Sequence, residues 1–126
     1  MPRWRRNGGT PVRGQDDHGR AAAAAQRLDA ADLGAELGAR ATLVQFSSAF
    51  CAPCRATRRV LGEVAGLVPG VAHVEIDAEG HLELVRALDV VKTPTVLVLD
   101  ADGRVVRRAV GQPSRADVIA ALGEAV

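Results

Sequence analysis

Aromatic side chains are nearly absent from this chain of 126 residues. It has no tyrosine, and its only aromatic residues are Trp4, Phe46 and Phe50. Proteins that bind single-stranded nucleic acid usually stack bases on such side chains, so we expect no nucleic-acid partner. The sequence also lacks a phosphate-binding loop, a Ser-His-Asp set and paired catalytic carboxylates, which leaves the corresponding enzyme classes without support.

Long apolar runs are missing as well. No stretch reaches the roughly 18 apolar residues of a transmembrane helix, and Ala21–Ala25 is shorter than the apolar region of about 7–15 residues in a signal peptide. We therefore expect a cytoplasmic protein. The alternative is a membrane tether through an N-terminal segment, absent from this chain, whose basic flank would be Trp4-Arg5-Arg6.

Charge is distributed unevenly along the chain. The formal net charge is +1, yet residues 1–20 carry five arginines and two aspartates among several glycines and prolines. Such a composition is typical of a disordered segment, so we predict a disordered basic tail over residues 1–25. Apolar residues make up 48% of the chain, enough for one folded domain over residues 26–126 that needs no disulfide to fold.

Apolar periodicity in this domain predicts an α/β fold. Strands are predicted at 26–28, 42–46, 72–77, 95–99 and 105–110, the last two forming a hairpin. Helices are predicted at 30–38, from Ala52, around 82–88 and after Ser114, with Asp29 as an N-cap and Gly38 as a stop. This order predicts a central mixed sheet with helices on both faces. Arg104, Arg107 and Arg108 predict a charged sheet edge that resists aggregation.

The only two cysteines, Cys51 and Cys54, lie where the buried strand turns into a helix. A sulfur at a helix start meets unpaired N–H groups and the positive end of the helix dipole, which lowers a thiol pKa from about 8.5 toward roughly 7 or below. Pro53 suits a first helical turn. A redox dithiol is the favoured interpretation. Two inert buried cysteines, or half of a zinc site lacking its other ligands, are the alternatives, and we expect neither a metal nor another cofactor.

Several motifs together resemble the thioredoxin family, from about Asp29 to the C-terminus. They are Thr42-Leu-Val-Gln-Phe46, Phe50-Cys-Ala-Pro-Cys-Arg55, Val71-Ala-His-Val-Glu-Ile-Asp77, Lys92-Thr-Pro-Thr95 and Gly111 after the hairpin. A Cys-x-x-Cys pair alone is weak evidence, but a Thr-Pro-Thr at a later strand start strengthens it. The resemblance implies a thioredoxin-like fold and a thiol–disulfide oxidoreductase.

The resemblance also implies roles for individual residues. Cys51 would attack a substrate disulfide and Cys54 would resolve the mixed disulfide. Thr93 and a cis Pro94 would pair with an extended substrate segment, and Phe50 and Pro53 would contact it. The implied partners are protein disulfides and an electron-donating reductase or relay protein, and we expect a monomer. Arg55 would attract a thiolate, whereas Arg58 and Arg59 are interpreted as solvated surface charges.

Departures from the family concern proton transfer and the surface near the dithiol. Phe50 replaces the usual Trp, Ala52 the usual Gly, Gln45 a buried Asp and His73 a Lys. The Gln45 amide cannot titrate, so it cannot exchange a proton with Cys54 as the buried Asp of the family would. Gln45 and His73 are therefore the candidate proton relay, in which His73 accepts the proton of Cys54. The alternative is that His73 is only a hydrogen-bonded strand residue.

Two functions remain open at this point. The favoured one is an oxidoreductase that reduces protein disulfides, although oxidants and isomerases share the scaffold. The alternative is a redox-weak module that holds extended peptides in the groove near Pro94.

Overall fold

The computed structural model describes residues 5–6 and 26–126. The predicted disordered tail, 1–25, therefore lies outside the described residues except for Arg5–Arg6. These two residues form a short strand, β1, which pairs antiparallel with Arg107 and Arg108.

The described domain alternates helices and strands much as the periodicity predicts. Its elements in chain order are α1 (Ala30–Leu33), β2 (Ala41–Ser47), α2 (Ala52–Leu67), β3 (Val71–Asp77), α3 (Leu82–Ala87), β4 (Thr95–Asp100), β5 (Val105–Val110) and α4 (Arg115–Leu122). The strands form one mixed sheet in the order β1-β5-β4-β2-β3. Strands β2 and β3 run parallel, and every other neighbouring pair is antiparallel. This is the predicted α/β architecture, a central mixed sheet with helices on both faces.

Strand β2 lies at the centre of the fold, and all seven of its residues are buried. Its side chains alternate between two apolar layers, as the period of a strand requires. Val44 and Phe46 pack in one layer with Leu33 and Leu88, whereas Leu43 packs in the other layer with residues of α2 and α4. Helices on both faces therefore hold the end of β2, and the loop that follows it, in a defined place.

Helix α1 is shorter than predicted because it ends before Gly34, and Gly38 is not its stop. Gly34 adopts a left-handed backbone with φ of 69°, and its N–H donates to the Ala30 carbonyl, which closes the last turn. The start is as predicted, because the Asp29 side chain accepts a hydrogen bond from the Asp32 N–H.

The strand predicted over residues 26–28 is wrong. Only one bridge forms there, between Arg27 and Arg104, flanked by a hydrogen bond from the Leu28 N–H to the Gly103 carbonyl at 2.9 Å. The extended backbone stops at once because Asp29 caps α1 and turns the chain away from the sheet. The short segment is held by its Leu28 side chain, which is buried in the core.

The interpretation of Arg108 as part of an exposed charged edge is wrong too. Arg104 is exposed, but the Arg108 residue is only 8% exposed. Its guanidinium donates to the carbonyl oxygens of Leu88 and Asp89. These hydrogen bonds to charged nitrogen compensate the cost of burying a cation, so Arg108 serves as an internal brace.

Gly38 has a packing role, which gives a stability prediction. A Cβ at this position would approach Ala72 N and Gly70 O at 2.7 Å each, closer than van der Waals contact allows. We expect Gly38→Ala to lower the free energy of unfolding by about 1–3 kcal/mol, the range for overpacking. The matched control is Gly66→Ala in α2, where a Cβ meets nothing within 4 Å and helix propensity favours alanine by about 0.8–1 kcal/mol. Urea denaturation measures both, and equal effects of the two substitutions would contradict this assignment.

Candidate redox site

The two cysteines lie at the junction predicted from the sequence. Strand β2 ends at Ser47, and Cys51 is the N-cap residue of α2. The Cys51 sulfur accepts a hydrogen bond from the Cys54 N–H at 3.2 Å, and Pro53 occupies the first helical turn, where no N–H is needed. The helix start therefore supplies a backbone donor to the Cys51 sulfur in addition to the positive end of the helix dipole.

Cys51 and Cys54 form a disulfide across the first turn of α2, with their Cα atoms 5.2 Å apart. Their environments differ. Cys54 is only 1% exposed, whereas Cys51 is half-buried. A disulfide partner from outside can therefore approach Cys51 and not Cys54.

Thr93 lies beside the loop that precedes the dithiol. The Thr93–Pro94 peptide bond is cis, as the resemblance implies, and Pro94 is buried. The Thr93 and Ser48 hydroxyl oxygens are 2.8 Å apart, within hydrogen-bond distance. This contact brings two segments that are distant in sequence to one side of the molecule.

Apolar side chains project into solvent from these two segments. Phe50 is fully exposed and has a left-handed backbone with φ of 57°, an uncommon conformation for a bulky residue. Val91, two residues before Thr93, is 84% exposed. Pro53 is exposed as well. An exposed aromatic ring beside an accessible sulfur is typical of a surface that contacts other molecules.

A polar network lies beneath the dithiol and begins at Gln45. The Gln45 amide nitrogen donates to the Cys54 carbonyl oxygen at 2.7 Å and to Ser47 Oγ at 2.9 Å. Ser47 Oγ in turn donates to Glu75 Oε2 at 2.8 Å. Because a backbone carbonyl can only accept, it fixes the orientation of the amide and hence the direction of every later hydrogen bond.

His73 joins this network from the neighbouring strand. Its Nε2 lies 3.3 Å from the Gln45 amide oxygen, an atom that only accepts, so Nε2 carries the proton in this contact. Burial lowers the pKa of His73 below its usual value, partly opposed by the charge of Glu75 and aided by that of Arg58. The neutral imidazole is therefore favoured in the folded state.

Glu75 is the ionised member of the network. Arg58 binds it through two nitrogens, Nε at 2.7 Å and Nη2 at 2.8 Å. The hydrogen bond from Arg58, which outweighs the opposing effect of burial, and the one from Ser47 hold the pKa of Glu75 below its usual range. The Gln45 amide thus stands where the family usually has a buried acid. Ser47 connects this amide by hydrogen bonds to the ion pair of Glu75 and Arg58.

Sequence reasoning missed Ser47, Ser48 and Glu75 and assigned Arg58 only to the solvated surface. The available signal was the strand register, because Glu75 is the partner of Gln45 in the parallel pair of β2 and β3. The predicted residues Gln45, His73 and Cys54 do come together, and so do Thr93 and the loop before Cys51.

The part of the chain that the structure describes contains neither a candidate metal site nor a membrane-spanning helix. Within residues 5–6 and 26–126, no group of three His, Cys, Asp or Glu side chains is placed to hold a metal ion. In that same part, none of the helices has both the length and the apolar character needed to cross a bilayer.

Comparison with known proteins confirms the thioredoxin-like fold that the sequence resemblance implies. The family described as a thioredoxin-like domain matches residues 29–126. A thioredoxin of Mycolicibacterium smegmatis is 33% identical over 87 residues, which are 67% of this chain and 77% of that protein. The thioredoxin structure of Fasciola hepatica superposes with a TM-score of 0.62 at 22% identity, covering 71% of this chain and 84% of that one. A thioredoxin structure from Halobacterium salinarum gives 0.63 at 23% identity, covering 68% and 74%.

The lowered pKa of His73 predicts a pH dependence of stability. As the pH falls through about 6.5, a histidine in the unfolded chain takes up a proton before the folded one does. The contribution of His73 to the free energy of unfolding therefore decreases from about pH 6.5 downward and levels off below its folded pKa, whereas the loss from Glu75, whose pKa is lowered, comes at more acidic pH. We expect His73→Gln, with the disulfide intact, to lose part of this decrease in urea denaturation at about pH 8 and pH 5.5. His81→Gln is the control because it leaves His73 in place, and an identical decrease in His73→Gln and wild type would refute the prediction.

Proposed function

We propose, on the premise that this chain belongs to the thioredoxin family, that it reduces disulfide bonds in protein substrates. Family membership and the Cys51–Cys54 pair make it a thiol–disulfide oxidoreductase, and the family implies protein disulfides and reductases as partners in general. The reducing direction is the part that we propose. The observation that carries the exchange chemistry is an accessible Cys51 sulfur joined to a buried Cys54, with Thr93 held against the loop that precedes the dithiol, and the reducing direction is proposed from the similarity to thioredoxins.

The reaction begins with both cysteines reduced. The Cys51 thiolate attacks one sulfur of the substrate disulfide, so a mixed disulfide forms and the other substrate sulfur leaves as a thiolate that takes a proton. Cys54 then loses its proton and attacks the Cys51 sulfur, which releases the second substrate thiol and closes the Cys51–Cys54 disulfide. The substrate gains two electrons and two protons, and a reductase or relay protein returns two electrons to the dithiol.

The division of labour between the sulfurs follows from their surroundings. At the helix start, the Cys54 N–H and the helix dipole favour a thiolate on Cys51, the dipole by roughly 0.3–1 kcal/mol. Burial keeps Cys54 from external disulfides and leaves the Cys51 sulfur, three residues away, as its target. Cys51 is therefore assigned as the nucleophile and Cys54 as the resolving thiol.

The proposed substrate contacts surround the accessible sulfur. Thr93 and Pro94 would pair with an extended segment of the substrate, since the backbone before a strand can bind a peptide by strand addition. Phe50 and Pro53, both exposed, would contact apolar side chains of the substrate. A cytoplasmic location with a reductase as donor is part of the same proposal.

Substitution of the cysteines tests this function. With dithiothreitol as donor, we expect Cys51→Ser to abolish reduction of insulin disulfides, because the attacking sulfur is gone. Cys54→Ser that has been reduced and then freed of dithiothreitol should instead accumulate a mixed disulfide with insulin, detectable by mass spectrometry.

The matched control is Ala49→Ser, which places a new hydroxyl in the same exposed loop and should retain wild-type turnover. Absence of insulin reduction by the wild type would contradict the proposal. Binding of an extended peptide without reduction would then favour the redox-weak peptide-binding module.

We also propose that His73 accepts the proton that Cys54 must lose. Through Gln45, His73 is two hydrogen bonds from the backbone carbonyl of Cys54, whereas Glu75 is three away, so His73 is the nearer titratable group to the resolving cysteine. Because Nε2 already carries the proton that it donates to Gln45, Nδ1 would receive the new proton, and that proton would travel from the Cys54 sulfur through water and not along these hydrogen bonds. Turnover of His73→Ala should fall below that of wild type and change its dependence on pH between about 6 and 9, with His81→Ala as the control. A His73→Ala profile that overlays the wild-type profile rules out this role.

A further inference from the structure

The 88–94 segment, which runs from Leu88 to Pro94, connects α3 to β4 and carries the proposed peptide contacts. Leu88, Val90 and Pro94 are buried, whereas Val91 and Lys92 are exposed. The segment is therefore fixed at both ends and open to solvent in the middle. What holds each end decides how well its backbone matches an incoming peptide, and this inference rests on the function proposed above.

Arg108 holds the first end from beneath. Its Nη2 donates to the carbonyl oxygens of Leu88 and Asp89, the latter at 3.0 Å. Leu88 and Asp89 form a turn after α3, in which Asp89 has a left-handed backbone with φ of 56°. A guanidinium has several donors in a rigid plane and can bind two carbonyls at once, which makes Arg108 a suitable anchor for this turn.

Ser48 holds the other end. Its hydroxyl lies 2.8 Å from that of Thr93, and Ser48 belongs to the loop that leads to Cys51. The Gly111 N–H also donates to the Pro94 carbonyl at 2.8 Å, which joins this end to the residue after β5. The hydroxyl contact thus couples the position of the peptide-binding backbone to the loop that carries the nucleophile.

We propose that Arg108 and Ser48 are positioning residues that hold the 88–94 segment in a preformed shape for polypeptide substrates. Neither side chain takes part in the exchange chemistry. A protein disulfide needs both the Cys51 sulfur and a backbone partner in this segment, whereas a small disulfide needs only the sulfur. The two residues therefore set a preference for protein disulfides over small ones.

Two substrates separate this role from a general effect on the enzyme. Insulin represents protein disulfides, and hydroxyethyl disulfide represents small ones. For Arg108→Met and for Ser48→Ala, we expect kcat/KM with insulin to fall by about three- to ten-fold, mainly through KM, as loss of a hydrogen bond allows. With hydroxyethyl disulfide, kcat/KM should stay at the wild-type value, and so should the reduction potential of the dithiol.

Matched variants complete the design. Arg107→Met removes the neighbouring arginine of β5, whose guanidinium pairs with Glu124 and not with the 88–94 segment, and should leave both substrates unaffected. Ser48→Thr keeps a hydroxyl and should restore insulin reduction. If Arg108→Met does not fold, Arg108→Lys and the Ser48 pair still decide the question. Hydrogen exchange should accelerate at Val90, whose N–H donates to the Val85 carbonyl at 2.9 Å, in Arg108→Met, and remain unchanged in β2.

The outcomes distinguish this inference from the proposed function. Equal losses with both substrates would show that the dithiol itself is disturbed, and unchanged kinetics with both would show that the anchors are dispensable, so either result overturns the inference alone. A wild type that reduces hydroxyethyl disulfide but not insulin would overturn the proposed function together with the inference.

Discussion

The hydrogen bond from the Gln45 amide to the Cys54 carbonyl joins the central strand to the first turn of α2. Every residue of β2 is buried, so this strand is the most constrained part of the sheet. The hydrogen bond of Gln45 fixes the start of α2, which carries the dithiol, relative to this strand. The same amide orients Ser47 and, through its oxygen, His73. A buried amide must have all of its hydrogen-bonding groups satisfied, and this requirement determines the geometry around Cys54.

The site separates an accessible sulfur from a protected one within a single helical turn. Cys51 lies at the surface, where the helix start favours a thiolate, and Cys54 lies under it against the polar network. Titratable groups stand behind Gln45 at the edge of that network. Glu75 is held ionised by Arg58 and Ser47, and His73 is held neutral by burial. The charged pair is thus kept at a distance from the buried sulfur.

The proposed substrate contacts lie on two loops that the fold brings together. The loop after β2 carries Phe50 and Cys51, and the 88–94 segment carries Val91 and Thr93. Ser48 and Thr93 connect the loops directly, and Arg108 supports the second loop from inside the protein. An exchange reaction with a folded protein requires that these parts keep their relative positions, because the attacking sulfur and the peptide-binding backbone must act on one substrate at the same time.

The amino-acid sequence by itself determined the features that arise from neighbours along the chain. A continuous apolar run specified β2, alternation with period two specified β3, and a Gly-containing connection between two apolar runs specified the hairpin. Cys-Ala-Pro-Cys after a buried strand specified a dithiol at a helix start. Only the tertiary structure decided that Arg108 is buried, that Gly34 rather than Gly38 ends α1, and that Glu75 and Ser47 join Gln45. From its neighbours in the sequence alone, an arginine or a glutamate is expected to be a surface charge. Its real environment depends on strand register and on layer packing, which place residues side by side that are 20 or 28 positions apart in the chain.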